Sequence, residues 1–168
     1  MPCIRIVKLL TRNIMSIQGK KELVVAALQN GIVIDHIPCD SLFKVVNILG
    51  IQNMENGVTI GNNLSSRSMG KKGLIKIADI DLPKETLNRI AVIAPSAVIN
   101  IIKDYAVVEK HKVELPEDLI DILKCNNPKC ISNNEPMKTH FHVVDGKNIT
   151  LKCHYCERIV KQDEVVLK

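Results

Sequence analysis

The fold of this 168-residue chain is decided near its C-terminus by the segments CNNPKC at residues 125–130 and CHYC at residues 153–156. They place four cysteines in the pattern C-x4-C, 22 intervening residues and C-x2-C. Two close pairs separated by the length of a β-hairpin are typical of tetrahedral binding of one Zn²⁺ ion. Two disulfides are the rival interpretation, but disulfides belong to secreted chains. We therefore expect one structural Zn²⁺ per chain, with Cys125, Cys130, Cys153 and Cys156 as its ligands.

The region around these cysteines predicts a separate small all-β zinc domain over residues 117–168. An all-cysteine ligand set leaves no open coordination position for water or substrate, so the metal indicates fold rather than catalysis. Phe141–Val144 and Ile149–Leu151 flank Asp145-Gly146, which predicts a hairpin between the cysteine pairs. We also expect a short helical turn over residues 118–123.

The charge distribution bears on whether this zinc domain binds nucleic acid. The net charge of the whole chain is +5, but residues 117–168 carry eight Lys/Arg and eight Asp/Glu, while residues 1–20 contribute four basic residues and no acidic one. A zinc ribbon that contacts phosphates should be basic, and aromatic residues that could stack on bases make up only 2% of the chain. A zinc-ribbon nucleic-acid-binding protein is therefore the alternative rather than the preferred interpretation.

Upstream of the zinc domain, residues 21–116 predict a second kind of fold. Two β-rich runs, Glu22–Leu28 and Ile32–Ile37, flank Gln29-Asn30-Gly31, and Asn-Gly between such runs predicts a hairpin. An i, i+3, i+4, i+7 apolar stripe predicts a helix that Asp40 or Ser41 caps and that Gly50 ends. The later patterns predict strands over 58–64 and 74–80, a flexible basic loop over 67–73, and a helix from Pro83 to Pro95. Residues 97–102 and 105–110 predict one long strand, or two strands broken near Asp104.

The resulting order, β-β-α-β-β-α-β, indicates an α+β fold. We predict a ferredoxin-like antiparallel sheet with an added leading strand, two helices on one face, and the small all-β zinc domain following it. Because two helices cover only one face of such a sheet, its other face stays free.

Several polar side chains are predicted to lie on that free face. Asp35 and His36 come near the end of a strand, Lys76 lies on the face opposite Ile75 and Ile77, and Lys110 ends the last strand. The ordinary interpretation is a polar pair at the sheet rim and solvated lysines. The functional interpretation is a surface that binds a ribose and phosphates, with Lys72 nearby in the basic loop.

Catalysis has no candidate residues in this sequence. The chain lacks a Walker-type loop ending in Lys-Ser/Thr and a G-x-G-x-x-G turn, and no nucleophile, base and orienting group are paired. His111, His140, His142 and His154 are scattered, and we expect His154 to be a solvated residue of the second cysteine pair. A nucleotide held on a sheet surface suits sensing better than phosphoryl transfer.

The N-terminal residues 1–20 form an extension that we expect to be disordered or to reflect a start at Met15 rather than Met1. They lack a signal-peptide core and faintly resemble a transit peptide. No apolar run of the chain approaches the ~20 residues that a membrane span requires. Cys3 and Cys39 are expected to be free thiols, and reduced cysteines favour a cytoplasmic location.

Several motifs together resemble the aspartate carbamoyltransferase regulatory chain, from about residue 22 to the C-terminus. The similar segments are GIVIDHIP at 31–38, IGNNL at 60–64, MGKK at 69–72, LIKI at 74–77, AP at 94–95, CNNPKCIS at 125–132 and LKCHYCE at 151–157. Agreement of independent motifs in one order is more specific than any single motif.

This resemblance implies a non-catalytic regulatory subunit of pyrimidine biosynthesis. Residues 21–116 would be an allosteric domain that binds CTP, ATP and UTP, and residues 117–168 would dock on the catalytic chain. It also implies a homodimer of regulatory chains, with no membrane or nucleic acid as partner.

The resemblance also assigns residues to the nucleotide. Base and ribose would contact Ala27, Leu28, Val33, Asp35, Tyr105 and Val107. Lys76, Asn100 and Lys110 would hold the ribose or phosphates, with His36 and Lys72 near the phosphates or a second nucleotide. Ala26 departs from the pattern because some relatives carry an acidic residue there. Asn127, Glu157 and Arg158 are candidate contacts to the catalytic chain.

Overall fold

A computed structural model describes residues 25–168 of the chain. The predicted N-terminal extension over residues 1–20, with Cys3 and the alternative start at Met15, lies outside the described residues. So do residues 22–24 of the first predicted strand.

The upstream region forms a five-stranded antiparallel sheet covered by two helices. The strand order across the sheet is β2-β3-β1-β4-β5. Its elements are β1 (Gly31–Ile37), α1 (Leu42–Leu49), β2 (Val58–Ser66), β3 (Gly70–Ala78), α2 (Lys84–Ile93), β4 (Val98–Lys103) and β5 (Ala106–Lys112). The first four strands and both helices have the order of a ferredoxin-like sandwich, as predicted. The added strand was predicted to lead the sheet, whereas the additional edge strand among the described residues is β5, which follows β4.

Both helices form where the apolar stripes predict them. In α1, Leu42, Val45 and Leu49 are buried, and Gly50 ends the helix with a left-handed φ of 62°. Ser41 occupies the N-cap position, but its side chain makes no capping hydrogen bond, contrary to the prediction. Helix α2 begins directly after Pro83, where the missing N–H of proline costs no helical hydrogen bond.

The first core lies between the helices and one face of the sheet. On β1 the side chains alternate, so Ile32 and Ile34 are buried while Val33 and Asp35 point to the other face. Ile75 and Ile77 of β3 join the buried set. This first core consists of Ile32, Ile34, Ile37, Leu42, Val45, Leu49, Ile75, Ile77, Ile90, Ile93, Ala94, Ala97 and Ile99.

Three local predictions are wrong. Residues 25–28 form no strand, so the hairpin at Gln29-Asn30-Gly31 is absent, because β3 and β4 already occupy both edges of β1. The predicted basic loop over 67–73 is shorter, since pairing of β3 with β2 extends to Gly70. Residues 118–120 form a strand rather than the start of a helical turn, because Leu119 pairs with Phe141 across a ladder, and residues 121–122 form a bend.

The downstream region is a small all-β module with one short helix. Its four-stranded sheet has the order β10-β9-β8-β6, and a separate pair joins β7 to β11. The elements are β6 (Asp118–Ile120), β7 (Leu123–Lys124), α3 (Ile131–Asn134), β8 (His140–Asp145), β9 (Thr150–Cys153), β10 (Ile159–Lys161) and β11 (Val166–Leu167). The predicted hairpin around Asp145-Gly146 is confirmed as β8 and β9.

The second core fills this module and touches the first. It consists of Val92, Leu119, Ile122, Leu123, Cys125, Cys130, Phe141, Ile149, Leu151, Cys153 and Val160. Val165 and Leu167 pack against both cores. The Gln162 amide donates hydrogen bonds of 3.3 Å to the carbonyls of Val92 and Ile93 at the end of α2. The C-terminal residues therefore join the two cores.

None of the helices between residues 25 and 168 has both the length and the apolar character needed to cross a membrane.

Candidate functional site

The four cysteines of the downstream module converge on one point. Their sulfur atoms all lie within 4.8 Å of one another. The Sγ atoms of Cys125 and Cys156 are 3.6 Å apart, and those of Cys130 and Cys153 are 3.8 Å apart. Four sulfurs at the ~2.3 Å Zn–S distance would be separated by about 3.8 Å in a tetrahedron. The thiols are free, so the two-disulfide alternative is not formed.

Asparagine side chains shape the first cysteine pair. The Asn133 amide donates 2.8 Å hydrogen bonds to the carbonyls of Cys125 and Asn127. The Asn127 side chain accepts from the Lys129 N–H at 3.1 Å, and the Cys130 N–H donates to the Asn127 carbonyl at 2.9 Å. These bonds satisfy the turn groups between the two cysteines, which fixes the sulfur positions. Sequence reasoning missed Asn133, although an asparagine beside a cysteine pair is a usable turn signal.

Glu157, the residue after Cys156, completes the turn of the second cysteine pair. The Glu157 N–H donates to the Cys153 carbonyl at 2.9 Å, with Glu157 in a left-handed conformation at φ 58°. The Glu157 side chain is exposed and lies 3.2 Å from the Lys152 ammonium. Arg158 is also exposed, whereas Asn127 is half-buried.

Without a bound cation, burial and mutual repulsion disfavour the thiolate form of the four cysteines. Burial raises the pKa of the Cys125 thiol to about 12, and burial also raises the pKa of Cys153. Desolvation acts upward on Cys156 as well, but the backbone hydrogen bond from Arg158 and neighbouring donors bring its pKa down to about 7. A bound cation would remove the repulsion between thiolates. The arrangement therefore fits a tetrahedral metal ion with thiolate ligands.

The free face of the five-stranded sheet is the second candidate site. Lys76 on β3 pairs with Val33 on β1, Val33 pairs with Asn100 on β4, and Asn100 pairs with Lys110 on β5. Directly paired residues share a face, so these four side chains form one row across four strands. At a strand spacing of about 4.8 Å, the row spans roughly 14 Å. Asn100 also donates to the Val33 carbonyl at 3.4 Å.

Asp35 lies on the same face as Val33, two residues along β1, and is paired with Lys72. The Lys72 Nζ is 2.6 Å from Asp35 Oδ1 and 2.7 Å from Oδ2, and both side chains are 18% exposed. The structure thus puts Lys72 on β3 rather than in a loop. His36 Nδ1 lies 3.2 Å from the same carboxylate, at a bulge where His36 has a φ of 59°.

Lys76 contacts the segment that precedes β1. Its ammonium group donates to the backbone carbonyl of Ala26, and burial lowers the pKa of Lys76. Ala27 is exposed and Leu28 is half-buried in this segment. Tyr105, in the β4–β5 turn and 65% exposed, donates its N–H to the Gln29 carbonyl at 3.0 Å.

The predicted site residues fall into two groups. Val33, Asp35, Lys72, Lys76, Asn100 and Lys110 come together on the free face, and Val107 pairs with Ile102 at its β5 edge. Ala27, Leu28 and Tyr105 lie at its margin in irregular segments, and His36 lies in the β1 bulge. The face is therefore rich in lysines, with Asp35 as their acidic partner.

The histidines are not scattered as predicted. His140, His142 and His154 offer ring nitrogens that all lie within 4.8 Å of one another. The signal in the sequence was the His140-x-His142 spacing, with His142 in the predicted strand Phe141–Val144 and His140 one residue before it, since residues two apart on a strand share a face. His111 lies apart from this group, 2.9 Å from Glu109 on β5.

Comparison with known families supports two consecutive functional units. Residues 23–114 match "Aspartate carbamoyltransferase regulatory chain, allosteric domain", and residues 117–166 match "Aspartate carbamoyltransferase regulatory chain, metal binding domain".

Curated relatives carry the same description over almost their whole length. The "Aspartate carbamoyltransferase regulatory chain" of Parabacteroides distasonis is 56% identical over 154 residues, covering 92% of this chain and 100% of the relative. That of Bacteroides thetaiotaomicron is 55% identical over 150 residues, 89% of this chain and 98% of the relative. That of Pyrococcus horikoshii is 44% identical over 147 residues, 86% and 97% respectively.

Proposed function

The chain belongs to the aspartate carbamoyltransferase regulatory chain family, and from that membership we propose that it is a nucleotide sensor that acts on a catalytic partner through a zinc module. As a regulatory chain it has an allosteric and a metal-binding domain and is not itself the catalytic subunit. We propose domain boundaries of 21–116 and 117–168. The cytoplasmic location stays a prediction that rests on the cysteine pattern.

The effectors that we propose are CTP, ATP and UTP, bound on the free face of the sheet. The observation that carries this proposal is the row formed by Lys76, Val33, Asn100 and Lys110. The lysines at its two ends suit phosphates. Its length of roughly 14 Å suits a nucleotide. Base and ribose would contact Ala27, Leu28, Val33, Asp35, Tyr105 and Val107. His36 and Lys72 would lie near the phosphates or a second nucleotide.

Isothermal titration of the metal-loaded full chain with CTP and ATP tests this proposal. Lys76→Ala should weaken binding by about 10- to 100-fold, because a hydrogen bond to a charged group is lost. Lys44→Ala is the matched control, since Lys44 is an exposed lysine on α1, on the other side of the sheet. The absence of binding to the wild-type chain, or equal losses in both variants, would rule out this site.

The metal that we propose is Zn²⁺, one per chain, with Cys125, Cys130, Cys153 and Cys156 as ligands in a closed structural site. Sulfur separations of 3.6 and 3.8 Å and an all-thiol donor set support it. The domain is too small to rely on its apolar core alone, so metal binding would stabilise its fold.

Replacement of Cys125 by serine should lower the zinc content and abolish assembly with the catalytic chain. Metal analysis of the purified protein and gel filtration with the catalytic chain provide the measurements. Cys39→Ser is the control, because Cys39 lies outside the cluster and should leave both unchanged. Assembly by a zinc-free Cys125→Ser protein would contradict the docking role.

Asn127, Glu157 and Arg158 are the contacts that we propose for the catalytic chain. Glu157 and Arg158 are exposed beside the second cysteine pair, so they can reach a partner while the metal holds their backbone. A nucleotide then changes the partner's activity if it binds one state of the assembly better, and a coupling of roughly 1–3 kcal/mol is sufficient.

A homodimer of regulatory chains is proposed through the edge strand β5. All seven residues of this strand are exposed, including Val107 at 59% and Val108 at 49%. An exposed edge strand with apolar residues is a template for pairing with another chain. The zinc-ribbon nucleic-acid alternative receives no support from the family match.

A further inference from the structure

A cluster of three histidines and one aspartate lies on the outer face of the metal-binding domain. His140 and His142 project from the same side of β8, opposite to the buried Phe141. His154 follows β9, and its N–H donates to the His140 carbonyl at 2.9 Å. Asp118 of β6 pairs directly with His142. Two strands and a turn, already joined by backbone hydrogen bonds, therefore hold all four side chains.

The imidazole nitrogens are close enough to share one ion. All three ligand atoms lie within 4.8 Å of one another, and His142 Nε2 is 3.0 Å from His154 Nδ1. The His140 and His154 rings stack at a centroid distance of 4.7 Å. Nitrogens bound to one Zn²⁺ at about 2.0–2.1 Å would be roughly 3.3 Å apart in a tetrahedron. Small rotations of the rings would bring the nitrogens to these positions.

Asp118 supplies the orienting partner that such sites use. Its Oδ1 lies 2.6 Å from His142 Nδ1 and 2.9 Å from His140 Nε2. A carboxylate that fixes one ring nitrogen of a histidine leaves the other nitrogen free to bind a metal. Lys152 lies directly opposite His142 on β9. Its ammonium group is 3.2 Å from the Glu157 carboxylate, and this carboxylate offsets the positive charge of the lysine.

We propose that His140, His142 and His154 form a second metal site in this chain, which binds a divalent transition-metal ion with Asp118 as its orienting group. Imidazole donors select Zn²⁺, Ni²⁺ and Cu²⁺ rather than Mg²⁺ or Ca²⁺. The ion has an entry path, because His154 is exposed and the His142 side chain is 42% exposed. Such an ion would cross-link β6, β8 and the turn after β9, and so stabilise the domain from its outer face.

Equilibrium dialysis against Ni²⁺ of the full chain, carrying one Zn²⁺ in its cysteine cluster, tests the proposal, because zinc and nickel then report on the two sites separately. Elemental analysis should give one additional nickel per chain with the zinc content unchanged. No uptake of nickel by the wild-type chain would overturn the proposal. Loss of zinc in proportion to nickel gained would also overturn it, because the nickel would then be in the cysteine cluster.

Variants assign the nickel to these residues. His142→Ala should abolish the additional nickel, and Asp118→Asn should weaken it by about 10- to 100-fold, as for other orienting partners. His111→Ala is the matched control, since His111 lies on β5 outside the cluster. Retained zinc in each variant shows that the domain is folded. If His142→Ala loses zinc, His154→Ala gives the same readout from an exposed side chain, and undiminished nickel binding there would refute the site.

Discussion

Gly31 opens the central strand of the sheet in a conformation that other residues rarely adopt. Its φ is 134°, and a Cβ placed there would lie 2.1 Å from the carbonyl oxygen of Ile77. The obstacle is the backbone of the neighbouring strand, to which Gly31 is paired through Ala78. A side chain at this position therefore forces the first pair of the β1–β3 ladder apart.

We expect Gly31→Ala to lower the free energy of unfolding by about 2–4 kcal/mol, from backbone strain and the steric clash together. Denaturant unfolding followed by circular dichroism measures it. Gly146→Ala is the control, because nothing lies within 4 Å of a Cβ at Gly146. Its effect should stay within about 0.5 kcal/mol. Equal stability of the two variants would contradict the tight approach at Gly31.

At the scale of single elements, helix α1 packs against the sheet through one face only. Leu42 is fully buried against the sheet, and its Cδ1 lies 2.9 Å from the position that a Cβ on Gly73 would occupy. The adjacent Phe43 points away from the core and is 62% exposed. Glycine at position 73 thus leaves room for the leucine that anchors the start of the helix.

Leu42→Ala should lower the free energy of unfolding by about 2–5 kcal/mol, because it leaves a cavity between α1 and β3. Phe43→Ala removes a larger but solvent-exposed side chain and should change stability by no more than about 0.5 kcal/mol. Both are read from the same denaturant titration. A larger loss for Phe43 than for Leu42 would mean that the helix packs by its other face.

The elements that were predictable are those that local patterns specify. The stripe Leu42, Val45 and Leu49 predicted α1, and Asp145-Gly146 predicted the β8–β9 turn. The hairpin at Asn30-Gly31 was wrong because the partners of β1 are chosen by distant residues, Ile75 of β3 and Ile99 of β4, which bury the same face. The strand β6 and the histidine cluster were missed for the same reason, since cross-strand pairing creates both.

At the scale of the whole molecule, the two cores differ in what supports them. The second core contains three of the four clustered cysteines among its buried residues, whereas the first contains none. Removal of a metal bound to those thiols would leave a small apolar core with repelling or protonated sulfurs. The sheet of the upstream domain has no such dependence.

Treatment of the full chain with a chelator should therefore unfold the downstream domain first. Hydrogen exchange should show loss of protection for Phe141 and Leu151 in β8 and β9, while Ile34 and Ile75 remain protected. Restoring Zn²⁺ should restore the protection. Retained protection of β8 and β9 in metal-free protein would mean that the domain folds without its ion.

The position of Val165 and Leu167 has a consequence for how the chain is made. Both pack against the first core as well as the second, yet every buried residue of the first core precedes them in the sequence. Upstream domains commonly fold during synthesis, before the rest of the chain exists. Here the part of the first core that Val165 and Leu167 cover stays exposed until those two residues have been synthesised, so a product truncated before them would expose apolar surface on both domains and would be open to quality control by chaperones and proteases.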